Sequence, residues 1–369
     1  MTRLLSALLA ATTLLVTAHS ALADTTDAAG RLITAPARKP QRIIIGSGPL
    51  LHAVMAIEGA SGTDDRGTGR IVAIGADFSA RDKAGAALLT IRYPALAAAQ
   101  AIQFGEIAGL DKEAVLALKP DLAILAGSDA APRKDSLASA LIAAGVPVVL
   151  TDFRSHPGPN SLTSLRAIAA ALGQDADHNG FVAFYRQQMA RVTDITASLT
   201  AEQRPRAFMD MRASAATPCC GTPGRGNYGE LIEAAGAINV GSAIHDQPLG
   251  RVRADQIRAA NPAFYVAGSA SGGVPLGRGV DAATARRAMA TLTATREDLV
   301  GLPALSNGRA MAVWHNFYNH PFNVAVVQAM ARHFHADRFA TIDPADTLAQ
   351  AFGFIGIAPG GTYWVEQRP

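Results

Sequence analysis

Short runs of β-branched and other apolar residues, most of them closed by glycine, alternate along this chain with helix-length segments, and that alternation restricts the fold more than any other feature. The first runs are Arg42-Ile43-Ile44-Ile45-Gly46 and Arg70-Ile71-Val72-Ala73-Ile74-Gly75. Asp121-Leu122-Ala123-Ile124-Leu125-Ala126-Gly127 follows helix-like sequence from Lys112 to Leu118, and Val146-Pro147-Val148-Val149-Leu150 follows Asp135 to Ala144. Strands that are apolar on both faces and spaced by helices form a parallel sheet covered on each side, so residues 42–155 read as one α/β lobe. Behind Pro157 and Pro159, helical sequence runs from Ser161 to Leu172, and a second helix is expected from about Asp175 to Leu199. In that second helix Phe181, Tyr185, Gln188 with Met189, Val192 and Ile195 recur at three- and four-residue steps, with Arg186, Gln187, Arg191 and Asp194 elsewhere. At about 1.5 Å per residue it would reach roughly 36 Å, enough to bridge two lobes as a strut.

The alternation then restarts. Arg206 to Met211, Ile238 to Val240, Phe264 to Ala267 and Ala310 to Trp314 read as strands, with helices at Tyr228 to Ala235, Ala254 to Ala260 and inside Ala282 to Leu299. The expected organisation is an export segment at 1–23, an N-terminal α/β lobe at 24–157, linking helices at 158–200 and a C-terminal α/β lobe at 201–369. The export reading rests on Arg3, the apolar run from Leu4 to Val16 and the small-x-small close Ala21-Leu22-Ala23. No cysteine follows to take a lipid, and the apolar core is short for a span, so the mature chain is expected in an extracytoplasmic compartment without an anchor.

Composition narrows the function. The 33 Lys and Arg against 30 Asp and Glu show a slim basic excess and no basic stripe, which argues against nucleic-acid binding. The two cysteines, Cys219 and Cys220, are adjacent, which excludes a disulfide framework and a four-cysteine zinc site. Enzyme signatures are weak. Gly46-Ser47-Gly48 follows a strand, but Leu51 stands where a dinucleotide fingerprint needs glycine, and neither Gly-x-Ser-x-Gly nor His-Glu-x-x-His occurs. His333 and His335 with Asp337 read as residues at a helix end.

Ligands of parallel α/β sheets sit beyond the carboxyl ends of the strands, so the loops after each strand would line a cleft between the lobes. The richest is Trp314-His315-Asn316-Phe317-Tyr318-Asn319-His320-Pro321-Phe322, with four aromatics and two histidines in a chain that is only 6% aromatic. Rings offer contact area at low entropy cost, and Tyr or His can ligate a metal centre, so His315 and Tyr318 are the candidate metal contacts and Trp314 and Phe317 their neighbours. Arg154, Arg212, Arg225, Arg251 and Arg81 are the cations near the cleft ends, suited to a carboxylate or catecholate. Cys219 and Cys220 are expected to close a ring that makes a rigid apolar bump at the cleft rim, with a soft-metal dithiol or two free thiols without function as the alternatives.

Taken together the chain resembles the periplasmic solute-binding proteins of ABC importers for iron-siderophore, haem and cobalamin. The resemblance is carried by Leu110-Asp111-Lys112-Glu113-Ala114-Val115-Leu116-Ala117-Leu118-Lys119-Pro120-Asp121-Leu122 and by Gly229-Glu230-Leu231-Ile232-Glu233-Ala234-Ala235-Gly236-Ala237-Ile238-Asn239-Val240, with Asp27 to Arg31 and Pro40 to Ile44 as a matching opening. It implies two Rossmann-like lobes bridged by a single long α-helix, the class III periplasmic binding protein type. It further implies a carrier and not an enzyme, no intrinsic cofactor, a ferric chelate as ligand and an inner-membrane permease dimer as partner, the carrier itself acting as a monomer. By the same resemblance Glu113 and Glu233 are the permease-docking carboxylates, and His315 and Tyr318 fill open iron positions. Thr90-Ile91-Arg92-Tyr93-Pro94 is the nearest match to the segment of haem carriers, which leaves haem open through Tyr93. Haem or cobalamin is the alternative cargo, and an exported α/β enzyme acting on a metal complex is the alternative class.

Overall fold

The computed structural model describes residues 25–102, 112–127, 136–214, 219–269 and 273–367; residues 1–23, expected from the sequence as an export segment, and most of the loop after Gly127 lie outside these. In the first lobe a five-stranded sheet has the order Gln100–Ile102, Ile71–Gly75, Ile43–Ile45, Leu122–Ala126, Val148–Thr151, with every pairing parallel. Ile43, Ile44 and Ile45 are wholly buried because helices cover both faces, which is why the strand is uniformly apolar. The edge strand Gln100–Ile102 carries no such run, and only its position beside Ile71–Gly75 makes it a strand.

The second lobe's sheet is built on parallel strands Ile238–Asn239, Arg206–Ala213, Phe264–Ser269 and Ala310–Trp314. The antiparallel strand Trp364–Glu366 closes one side, and Gly221–Thr222 with Gly250–Arg251 extends the other as an antiparallel ribbon. The architecture is therefore two α/β lobes joined by helix, the class III periplasmic binding type.

Two helices connect the lobes, Pro157–Ala171 and Gly180–Thr196. The second is 17 residues, shorter than the sequence suggested. Asp175 accepts from the amides of Asp177 and His178 and makes a turn, and the Asn179 side chain accepts from the Phe181 and Val182 amides, so the helix starts only at Gly180. Its apolar stripe follows the expected spacing. Phe181, Tyr185, Gln188 and Val192 are buried, while Arg186, Gln187, Arg191 and Asp194 face solvent. The helix is tied to both lobes: Asn179 Nδ2 donates to the Ile57 carbonyl (3.0 Å), and Tyr185 donates to Asn323 Oδ1 (2.8 Å). At its far end Thr196 donates to the Ala234 carbonyl (3.2 Å).

The chain end does not stay with the second lobe. Helix Pro344–Phe354 crosses back and packs against Gly48–Ala60 of the first lobe, with Phe352 edge-on to Phe322 and Phe354 edge-on to Phe181. One apolar core thus runs continuously from Ile43 and Ile45 under the linking helix to Met311 and Val313.

Candidate functional site

The lobes meet through the loops that follow their strands. Beyond Ile71–Gly75 comes a short helix, Asp77–Arg81, whose last side chain reaches the second lobe. Arg81 donates to the Tyr318 hydroxyl across the lobes, and its carbonyl accepts from Asn316 Nδ2 (3.0 Å). Beyond Val148–Thr151 lies Arg154, whose guanidinium stands 5.6 Å from the centre of the Tyr318 ring, with Arg81 at 5.8 Å. Beyond Met211 lies Arg212, which adopts a φ of 59°, a left-handed conformation uncommon outside glycine. The His315 ring packs 4.8 Å from that of Tyr318.

His315 reports the charge of the site. Burial, then the nearby Arg212, Arg81 and Arg154, hold its imidazole down to about 4, so it is neutral at pH 7. Its Nδ1 is buried with no hydrogen-bond partner among the described residues. Three cations from both lobes, a neutral imidazole and a phenol therefore converge at one place. Such an arrangement suits a polyanion that also offers a position to a nitrogen or oxygen ligand. Tyr228 is fully buried and donates to the Trp314 carbonyl (2.9 Å). Trp314 and Phe317 are buried and pack edge to face with ring centres 5.4 Å apart.

Each of these arginines follows an aspartate that shapes its loop. Asp77 accepts from Ser47 Oγ and the Gly48 amide (both 2.7 Å) and from Arg81 Nε (3.1 Å). Asp152, buried, accepts from the amides of Arg154 (2.9 Å), Ser155 (2.6 Å) and His156 (2.9 Å). Asp210 is paired with the buried Arg296 at 2.9 Å, and Arg296 also donates to the Ser214 carbonyl, so Arg212 lies between two anchored residues. These aspartates and Asn316 are absent from the sequence-based candidates. The short Asp-to-Arg spacing is visible in the sequence, but such spacings are common, and only the strand ends give it meaning.

The remaining candidates are placed elsewhere. Arg225 sits on the surface, 72% exposed, paired with Asp246 (2.6 Å). Tyr93 is buried in the first lobe and donates to the Ile355 carbonyl (2.8 Å), so its phenol is committed to holding the C-terminal helix. Cys219 and Cys220 are joined as a disulfide, but Cys220 is fully buried among Phe208, Val252 and Tyr265 in the second lobe's own core. The expected bump at the cleft rim is therefore not what the pair makes, because the ribbon Gly221–Thr222 draws it against the sheet. Glu113 and Glu233 are both exposed, on helices Lys112–Ala117 and Tyr228–Ala234 of different lobes. Partial burial and the neighbouring Glu230 raise the Glu233 carboxyl. Glu230 itself turns to the first lobe, accepting from the Gly158 amide and meeting His156 Nδ1, each at 2.8 Å. Among the described residues no group of three or more His, Cys, Asp or Glu is placed to hold a metal ion.

The family model for periplasmic binding proteins matches residues 66–309. The chain belongs to that family. Among solved structures it is similar to the TroA-like periplasmic binding protein FepB from Veillonella parvula, with a TM-score of 0.78 at 18% identity, covering 94% of this chain and 99% of that one. It is also similar to the molybdate-bound MolA of Haemophilus influenzae (TM-score 0.64, 17% identity, 92% and 99% covered). The periplasmic heme-binding protein RhuT from Roseiflexus sp. RS-1 is similar over 81% of this chain and 99% of that one (TM-score 0.55, 19% identity). Among curated proteins no sequence matches. At these identities the solved structures share the fold with this family member, while their ligands differ from one another.

Proposed function

We propose that this periplasmic binding protein carries a polyanionic iron(III) chelate of the ferric siderophore class, held between the lobes and delivered to the permease of an ABC importer without chemistry of its own. The observation that carries the reading is the convergence of Arg81, Arg154 and Arg212 on the Tyr318 and His315 rings. A catecholate or hydroxamate shell supplies negative oxygens to the guanidinium groups, and the neutral imidazole and phenol meet iron positions that the chelator leaves open. In this reading the protein brings no cofactor, acts as a monomer, is exported by removal of residues 1–23, and docks through Glu113 and Glu233. Separated carboxylates of this kind set orientation and partner choice more than affinity.

A bare oxyanion such as molybdate is the second reading, favoured by the same three arginines. Titration of the intact protein with iron(III) tris-catecholate, its iron-free ligand and molybdate, followed by the rise in melting temperature, separates the two. Stabilisation by the iron complex above that from the free ligand is expected. Stabilisation by molybdate alone would transfer the cleft to the oxyanion, and no shift from either anion would remove the anionic cargo.

A further inference from the structure

The bridged cysteines lie beside the one buried guanidinium that anchors the Arg212 loop. Arg296 is 3% exposed, and its Nη2 lies 3.7 Å from Cys220 Sγ and 2.9 Å from Asp210. Its Nη1 donates to the Ser214 carbonyl, two residues beyond Arg212. On the other side Cys220 exchanges both backbone hydrogen bonds with Val252 (3.0 and 2.9 Å), and Gly221 pairs with Met211, the residue before Arg212. Cys219 is half-buried, whereas Cys220 is fully buried.

We propose that Cys219–Cys220 is a redox-controlled latch on the cleft, in which reduction by a protein dithiol recruits Arg296 to the Cys220 sulfur and releases the segment that carries Arg212. The attacking thiolate of the reductant bonds to Cys219 Sγ, the sulfur–sulfur electron pair leaves on Cys220 Sγ, and the second thiolate of the reductant closes its own disulfide and expels Cys219, which takes up a proton. The Cys220 leaving group departs as a thiolate beside a fixed cation, which favours that direction of cleavage. Once formed, the thiolate competes with Asp210 and the Ser214 carbonyl for the same guanidinium. Arg212 lies between those two anchors, so loosening either one moves a cation of the cleft. The effect on cargo rests on the cleft reading above; the latch itself does not.

The test uses the whole mature protein in oxidised form and after reduction with a phosphine that is then removed. Rates of iodoacetamide labelling against pH should place one thiol well below the ordinary thiol value of about 8.5, and Arg296→Lys should shift it by less than Arg296→Gln. Backbone hydrogen exchange at residues 211–214 should quicken on reduction. Affinity for iron(III) tris-catecholate should fall about tenfold on reduction, and the double variant Cys219→Ser with Cys220→Ser, which has no thiolate to compete for Arg296, should bind as the oxidised form does with no redox dependence. Ordinary thiol titration, or unchanged exchange at 211–214, would overturn the latch. If neither form binds the iron complex, the cargo reading fails, and the labelling and exchange results still decide the latch. Tight binding that is equal in both forms would refute its control of the cleft.

Discussion

Tyr318 and His315 contribute different things to one site, and their substitution should separate them. Tyr318→Phe keeps the ring under Arg81 and Arg154 but removes the hydroxyl that Arg81 reaches, and His315→Ala removes the buried ring whose Nδ1 has no partner among the described residues. Each change is expected to weaken the iron(III) chelate by about tenfold, on the order of 1.4 kcal/mol, and the iron-free ligand by much less. Equal loss for both ligands, measured by fluorescence titration, would leave these residues as packing alone. Arg154→Gln should instead weaken binding of both forms at low salt, by less as the salt concentration rises, because it removes charge and no metal contact. At this scale the aromatic loop was legible because it concentrates rings in a chain with few of them. The convergence of Arg81, Arg154 and Arg212 on it was not, since each arginine alone is an ordinary surface residue and their separations in sequence carry no contact information. Tyr93 shows the converse: its Arg-Tyr-Pro setting suggests a ligand, yet a carbonyl 262 residues later satisfies its hydroxyl.

The linking helix depends on one side chain for its start. Asn179 accepts from two amides of the first turn and donates to the Ile57 carbonyl, so Asn179→Ala is expected to cost about 1 to 2 kcal/mol. The measurement is urea unfolding, and Asn179→Asp should recover the cap but not the Ile57 contact. The stripe of Phe181, Tyr185 and Val192 was readable from its period, but the boundary was not, because Asp175 and Asn179 are both good caps and only the fold selects the later one. Helices Lys112–Ala117 and Tyr228–Ala234 each present a glutamate to solvent from a different lobe. Glu113→Ala combined with Glu233→Ala should leave ligand affinity unchanged and reduce uptake by cells several-fold; undiminished uptake would assign docking to other groups.

The two lobes share a continuous apolar core through the linking helix and the returning helix Pro344–Phe354, so ligand binding is expected to change the distance between them little. Spin labels on the exposed Glu113 and Glu233 positions, measured with and without iron chelate, should shift by a few ångströms at most. Acid should act on the whole molecule through its buried imidazoles. Burial holds His52 and His333 down to about 4, below the 6.5 of an exposed histidine, so between those values the unfolded chain binds protons that the folded protein refuses. Stability is therefore complete above about pH 6.5 and falls as the pH drops towards 4, and His52→Gln should flatten that slope in thermal unfolding. Period and composition alone specified two α/β units, their central strands and an amphipathic connector, because backbone hydrogen bonding and burial of apolar faces are local or periodic demands. Which arginines share a tyrosine, where the twin cysteines lodge, and that the chain end returns to the first lobe depended on close packing between segments tens to hundreds of residues apart, for which no local pattern exists.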